Sequence, residues 1–359
     1  KYKKNLTINA ENSGTLGRLI LGLLINTPYP IRIIGDKSLS KRDFKRISDP
    51  LSIFGANFKL TNNKNLPLKI YGSTKLKPIK YIETRGSAQC KSSIIFAGMR
   101  TNGTTYIKAK KSRNHTELLC KYLKLPIKIK EKNKYDLIEI KKIKKLTPLN
   151  YNIPSDLSSS SFFIILTALT KNSKLLIRNV NINPSRTGVI NILKRMGVKI
   201  ILKNKKNYKG EIVSDIFVKS KNNLKNINCP KSYNSSAIDE FLIIFLVAAK
   251  AKGISRFKDL GEMNKKESKR LDLAVKFLKL IGIKVKRIKN DLDIYGNPNL
   301  NLSKNFTMKN FLKDHRIFFL SCIAALTLGG NWRIYDKKSA NTSFPKFLKI
   351  LRTIGAKIN

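Results

Sequence analysis

The sequence predicts an α/β fold built from repeated units and split into two domains, and three observations lead there. The first is a recurring pattern: a helix-like apolar stretch, then glycine, then alternating apolar and polar residues, at positions 51–58, 193–200, 278–285 and 351–358. Each copy reads as a helix stopped by a glycine just past its end and followed by a strand. The stopping glycines are Gly55, Gly197, Gly282 and Gly355, spaced 142, 85 and 73 positions apart. The first interval is about twice 71, and a degenerate copy at 119–129, with Lys124 and Pro126 in place of the clean glycine, fills it. Five copies of roughly 72 residues, longer than an ordinary solenoid repeat, then account for the chain. Within a copy the order reads strand, helix, strand, helix, strand, strand.

The second observation is the stretch 144–156, which lacks periodicity and holds Pro148 and Pro154. It suits a linker and divides the chain into domains 1–152 and 153–359, two copies against three. A sixth copy would equalise the halves; the place that lacks it is the abrupt start at Lys1, without a methionine. The third is hydropathy. With 42% apolar residues in 359 the chain can bury two cores. No apolar run approaches the roughly 18 to 20 residues needed to cross a bilayer, so a soluble protein is expected.

Charge bounds the function. There are 73 Lys and Arg against 22 Asp and Glu, a net +51. Nucleic-acid binding is one explanation, because cations that neutralise phosphates release counterions. The lysines, however, are spread along the whole chain. Only 128–145 is a dense basic run, and it alternates with Ile, Tyr and Leu as an exposed strand pair would. The 16 arginines are more selective, since a guanidinium fork binds carboxylate or phosphate in fixed geometry; Arg18, Arg42, Arg113, Arg186, Arg270 and Arg316 fall inside compact polar motifs. Cys90, Cys120, Cys229 and Cys322 lie far apart with no C-x-x-C pair, which argues against a structural zinc site or a disulfide framework and for a reducing compartment.

Polar motifs recur at predicted helix starts. Asn12 to Arg18 opens a helix that Ser13 or Thr15 can cap, with free N–H groups suited to an anion. The segment from Gly35 to Arg42 follows a strand. Ser87 and Gln89 begin the next helix, and Arg113 to Glu117 another, with one of two histidines. Asp156 and its serines lead a helix, the turn 183–188 carries Arg186, and Asp239 and Glu240 precede the apolar run 241–249. Lys266 and Arg270 stand four apart, on one face if helical, with Glu267 adjacent. Asp314, His315 and Arg316 lead the last long helix. Converging helix starts rich in Ser, Arg and Lys make an anion-attracting cleft, in which Asp239 and Glu267 suggest general acid and base work on an anionic substrate.

The ordered series N-S-G-T-x-x-R, G-D-x-S-L-x-x-R, S-A-Q-x-K-S, S-R-x-H-T-E, D-x-S-S, N-P-x-R-T-G, I-D-E, K-E-S-x-R-L, D-H-R and T-S-F-P resembles 5-enolpyruvylshikimate-3-phosphate synthases along the whole chain. The resemblance implies a two-domain inverted α/β prism of βαβαββ units, here about five of six, with the active site in the interdomain cleft. It also implies that the family's N-terminal Lys-Ser-x-x-x-Arg segment is missing. The implied reaction transfers the enolpyruvyl group of phosphoenolpyruvate to shikimate 3-phosphate. Asn12, Gly14, Thr15, Arg42, Gln89, Arg270 and Arg316 would hold phosphoenolpyruvate. Ser87, Ala88, Gln89, Arg113, Asp239 and Lys266 would bind shikimate 3-phosphate. Asp239, Glu267 and Lys266 would be catalytic. No metal or cofactor, no nucleic acid, no membrane, a cytoplasmic location and a monomer are the accompanying expectations. The alternatives are an inactive remnant of that family or a basic nucleic-acid-binding protein.

Overall fold

Residues 4–220, 223–265, 268–309 and 314–358 are described by a computed structural model, which divides into unit 1, Lys1–Tyr151, and unit 2, Asn152–Asn359. In unit 1, β1 (Thr7–Asn9) leads into α1 (Gly14–Leu24), and β2 (Ile31–Ile34) returns parallel to β1. Then α2 (Lys45–Ile53) is followed by β3 (Asn57–Thr61) and β4 (Asn65–Tyr71), giving a sheet of order β1-β2-β4-β3. The same succession follows: β5 (Lys80–Glu83), α3 (Ala88–Gly98), β6 (Thr104–Lys110), α4 (His115–Tyr122), β7 (Ile127–Glu131) and β8 (Tyr135–Lys141), in the order β5-β6-β8-β7. In both sheets one parallel pair is joined through a helix and one antiparallel pair through a turn, as their connections require. The basic run forms the β7–β8 hairpin, with Lys128 and Lys130 outward and Ile138 and Ile140 buried.

Unit 2 repeats the plan. Its elements are α5 (Leu157–Leu169), β9 (Lys174–Asn181), α6 (Gly188–Arg195), β10 (Lys199–Tyr208) and β11 (Glu211–Lys219), ordered β10-β11-β9, with Ser155 bridging parallel to Val180. Next come α7 (Phe241–Lys250), β12 (Gly253–Phe257), α8 (Arg270–Leu280), β13 (Val285–Ile288) and β14 (Asp291–Gly296), ordered β12-β14-β13. The last elements are β15 (Leu302–Met308), α9 (His315–Leu328), β16 (Gly329–Ile334) and α10 (Phe347–Thr353), with β15 and β16 parallel. Every residue of α7 from Phe241 to Ala249 is buried, so this helix is the hub of the unit 2 core rather than an amphipathic surface helix. Phe162, Phe163, Phe319 and Phe347 pack edge-on or tilted against one another beside it.

The helix stops behave as their sequence demands, with one exception. Gly55, Gly197, Gly282 and Gly355 all take positive φ, between 79° and 111°, a region a side chain enters only at a cost. In the degenerate copy Lys124 takes the same left-handed turn at φ 52°. Gly355 departs from expectation: residues 356–358 form no strand. A strand needs a hydrogen-bonded neighbour, and among the described residues β16 pairs only with β15.

One contact decides how unit 1 presents its helix starts. A Cβ on Gly22 would lie 2.1 Å from the Ser93 carbonyl oxygen, so α1 and α3 cross with no side chain between them. At the same crossing the Ser93 hydroxyl donates to the Arg18 carbonyl at 3.2 Å. The N-terminal turns of the two helices are thereby held side by side.

Candidate functional site

In unit 1 the predicted residues gather at those two turns. Ser13 caps α1, its hydroxyl accepting the Leu16 N–H at 3.1 Å. Asn12 is tied to the next loop, its side-chain amide donating to Asp36 Oδ2 at 2.6 Å, while Asp36 Oδ1 accepts the Leu39 N–H at 2.7 Å. That loop carries Arg42. A Cβ on Gly14 would meet Arg18 Nη1 and Arg42 Nη1, each at 3.2 Å, so two guanidinium groups flank the missing side chain. Arg18 is only 6% exposed and lies over the Phe44 ring, 5.2 Å from its centre.

The start of α3 is shaped by Glu83. This buried carboxylate accepts N–H bonds from Arg85, Gly86 and Ser87 at 2.7 to 3.2 Å, folding the loop so that Ser87 caps the helix and accepts the Cys90 N–H at 3.3 Å. Ala88 then begins the helix and Gln89 faces α1: its amide donates to Thr15 Oγ1 at 2.9 Å and its oxygen accepts from Arg18 Nη1 at 2.7 Å. Burial first, and then the Glu83 charge, push the Cys90 thiol up to about 11, so it carries no reactive thiolate at neutral pH. Behind α3, Lys91 Nζ sits 2.5 Å from Glu117 Oε1 with both side chains buried, and Ser92 hydrogen bonds Thr116 at 2.7 Å. These contacts hold the α4 start, and the half-buried Arg113 just before it, against α3. Sequence reasoning missed this pair, because Lys91 lies inside a polar motif and nothing in the spacing marks it as interior.

In unit 2 the predicted Asp239, Arg270 and Arg316 come together. Arg270 Nη1 is 3.3 Å from Asp239 Oδ1. Arg316 Nη1 donates to the Asp239 carbonyl at 2.8 Å. Asp314 caps α9 by accepting the Arg316 N–H at 2.9 Å, and it also accepts from Arg270 Nε at 3.1 Å and the Ser268 hydroxyl at 2.6 Å. Burial opposes the Asp314 charge, but Arg270, the Ser268 hydroxyl, His315 and the Arg316 N–H hold its carboxyl below the usual carboxylate range. Glu240 does the opposite. Burial and the neighbouring Asp239 charge raise it, against Arg316, the Ser158 hydroxyl and Arg186.

Lys266 and Glu267, expected beside Arg270, lie outside the described residues; helix α8 begins at Arg270 itself. Arg270 is 1% exposed, and two carboxylates compensate its burial, which an unpaired guanidinium would not survive. Among the described residues no group of His, Cys, Asp and Glu has the makings of a metal site, and no helix is long and apolar enough to cross a membrane.

Both units thus present arginines and hydrogen-bond donors at helix starts, and unit 2 adds a carboxylate among them, an arrangement fitted to anionic substrates and proton transfer. Known proteins resemble the chain in sequence and fold. The profile of EPSP synthase (3-phosphoshikimate 1-carboxyvinyltransferase) matches residues 1–351. The 3-phosphoshikimate 1-carboxyvinyltransferase of Caldicellulosiruptor bescii is 38% identical, over 98% of this chain and 80% of its own. That of Endomicrobium trichonymphae is 37% identical, over 97% and 79%. Among solved structures, EPSP synthase from Acinetobacter baumannii superposes with a TM-score of 0.87 at 32% identity, over 100% of this chain and 80% of that one. The enolpyruvyl transferase NikO from Streptomyces tendae, at 15% identity and a TM-score of 0.70, shares the fold, the inverted α/β prism. With the motifs, the fold and the alignment agreeing over nearly its whole length, the chain belongs to the EPSP synthase family.

Proposed function

We propose that this protein transfers the enolpyruvyl group of phosphoenolpyruvate to the 5-hydroxyl of shikimate 3-phosphate and releases phosphate. Family membership over residues 1–351 carries the reading, and the Asp239, Arg270 and Arg316 cluster supports it. Asp239 accepts the proton of the 5-hydroxyl as that oxygen bonds to C2 of phosphoenolpyruvate, while Glu267, beside Lys266, delivers a proton to C3. The tetrahedral intermediate then loses a proton from C3, the C2 to phosphate-oxygen bond breaks, and phosphate leaves. Neither step changes oxidation state.

Arg42, Arg270 and Arg316, with Asn12, Gly14, Thr15 and Gln89, serve phosphoenolpyruvate; Ser87, Ala88, Gln89, Arg113, Asp239 and Lys266 serve shikimate 3-phosphate. Each substrate carries a carboxylate and a phosphate. Fixed cations offset their repulsion and hold the hydroxyl against C2, which is where most of the acceleration in such an addition arises. The test is phosphate release from the two substrates together by the purified full-length protein. Asp239→Asn and Glu267→Gln are each expected to abolish it while substrate binding persists; near wild-type turnover in either sinks the assigned roles.

A further inference from the structure

Side chains from three motifs meet in unit 2 at groups to which this reaction scheme gives no role. Asp156, the N-cap of α5, takes Arg186 Nη2 at 2.9 Å. The same nitrogen donates to Ser158 Oγ at 2.6 Å, and Ser158 in turn donates to Glu240 Oε1. The direction is fixed by chemistry: a guanidinium only donates and a hydroxyl has one proton to give, so the bonds run from Arg186 to Ser158 to Glu240. They join the N-terminal ends of α5, α6 and α7, from positions 156, 186 and 240.

Glu240 is 3% exposed and is held at both ends. Its side chain is fixed by Ser158, and its carbonyl accepts the Ile243 and Ile244 N–H groups at the start of α7. Asp239 is the residue immediately before it, with Arg270 on one carboxylate oxygen at 3.3 Å and Arg316 on its carbonyl. Released from Ser158, the turn at 238–240 gains rotational freedom, and the direction of the Asp239 carboxylate changes with it. A buried carboxyl is costly to keep, yet α7 is otherwise apolar along nine successive residues, and a Gln or Leu would pack there with less penalty.

We propose that Glu240, held by Ser158 and Arg186, is a positioning residue that aims Asp239 at the hydroxyl it deprotonates. This rests on the reaction proposed above. The measurement is steady-state phosphate release by the full-length protein and its Glu240→Ala, Ser158→Ala and Glu240→Gln variants. Glu240→Ala and Ser158→Ala are expected to lower kcat by about 10- to 100-fold, the effect of a misplaced base, with KM for both substrates changed by less than about threefold. Glu240→Gln keeps an oxygen for the Ser158 proton and is expected to retain kcat within about threefold.

A merely structural role would not give that rescue with unchanged KM. Wild-type kcat in Glu240→Ala, a Glu240→Gln variant as slow as Glu240→Ala, or a loss confined to KM overturns the inference. If Glu240→Ala fails to fold, the Ser158→Ala and Glu240→Gln pair decides it alone. An active wild type with unimpaired variants sinks this inference only, whereas a wild type that releases no phosphate sinks the reaction as well.

Discussion

Arg18 Nη1 donates to the Gln89 side-chain oxygen at 2.7 Å, joining residues 71 positions apart. With its oxygen taken and one amide proton directed to Thr15 Oγ1 at 2.9 Å, Gln89 has a fixed amide orientation and a defined second proton for a ligand. Lysine cannot reproduce the fork that also reaches the Asp43 carbonyl at 3.2 Å. Arg18→Lys is therefore expected to reduce kcat/KM for phosphoenolpyruvate by about 10- to 100-fold. A double-mutant cycle with Gln89→Ala checks the route. The two losses should be strongly non-additive, and simple addition would mean that Arg18 acts elsewhere.

The Lys91 and Glu117 pair, 0% and 4% exposed at the side chain, should be far more sensitive to single than to double replacement. Lys91→Met leaves a buried carboxylate uncompensated and is expected to cost about 3 to 5 kcal/mol of unfolding free energy. Replacing both, with Glu117→Leu, should recover most of that. Urea denaturation of the three variants measures it, and equal losses in single and double variants would contradict the assignment.

How much of this was legible depended on the range of the signal. Gly55, Gly197 and Gly282 mark helix stops because backbone sterics act within a few residues, and the helix starts at Ser13, Ser87, Asp156 and Asp314 are legible for the same reason. Arg18 with Gln89, Lys91 with Glu117 and Glu240 with Ser158 were not. Each is a polar residue whose burial is decided by a helix from elsewhere in the chain, and local periodicity is silent on that. The burial of Arg270 was equally silent in the sequence, because its compensating partners, Asp239 and Asp314, lie 31 and 44 positions away.

The degenerate helix stop offers a stabilising substitution. Lys124 adopts φ 52° where the other copies have glycine, and it is exposed, so its side chain contributes no packing. Lys124→Gly removes the left-handed strain and loses some unfolded-state restriction, leaving an expected net gain of about 0.5 to 1 kcal/mol. A midpoint shift in urea at unchanged slope would register it. A loss of stability would show that the lysine makes a compensating contact.

Glu240 and Asp314 should give opposite pH signatures. Glu240 is raised by burial and by Asp239, so its contribution is fully present below the unfolded carboxyl value, about 4.3, and is lost as pH rises through the folded value. The melting temperature of Glu240→Gln relative to wild type should therefore climb as pH increases from about 4. Asp314 is lowered despite its burial, through Arg270, Ser268, His315 and the Arg316 N–H; its contribution is present above about 3.9 and fades in acid. Asp314→Asn should be most destabilising at neutral pH, with the gap closing below pH 4 or so. Parallel rather than opposed trends across a thermal-melt series would refute the pair of assignments.

The crossing of α1 and α3 at Gly22, where a Cβ would stand 2.1 Å from the Ser93 oxygen, also bears on the entropy of ligand binding. Two helices without clearance cannot rock against each other, so Thr15, Arg18, Ser87 and Gln89 behave as one rigid body. Their ordering is completed when the chain folds. An anion arriving at these two helix starts then loses only its own freedom, and more of each hydrogen bond remains as affinity.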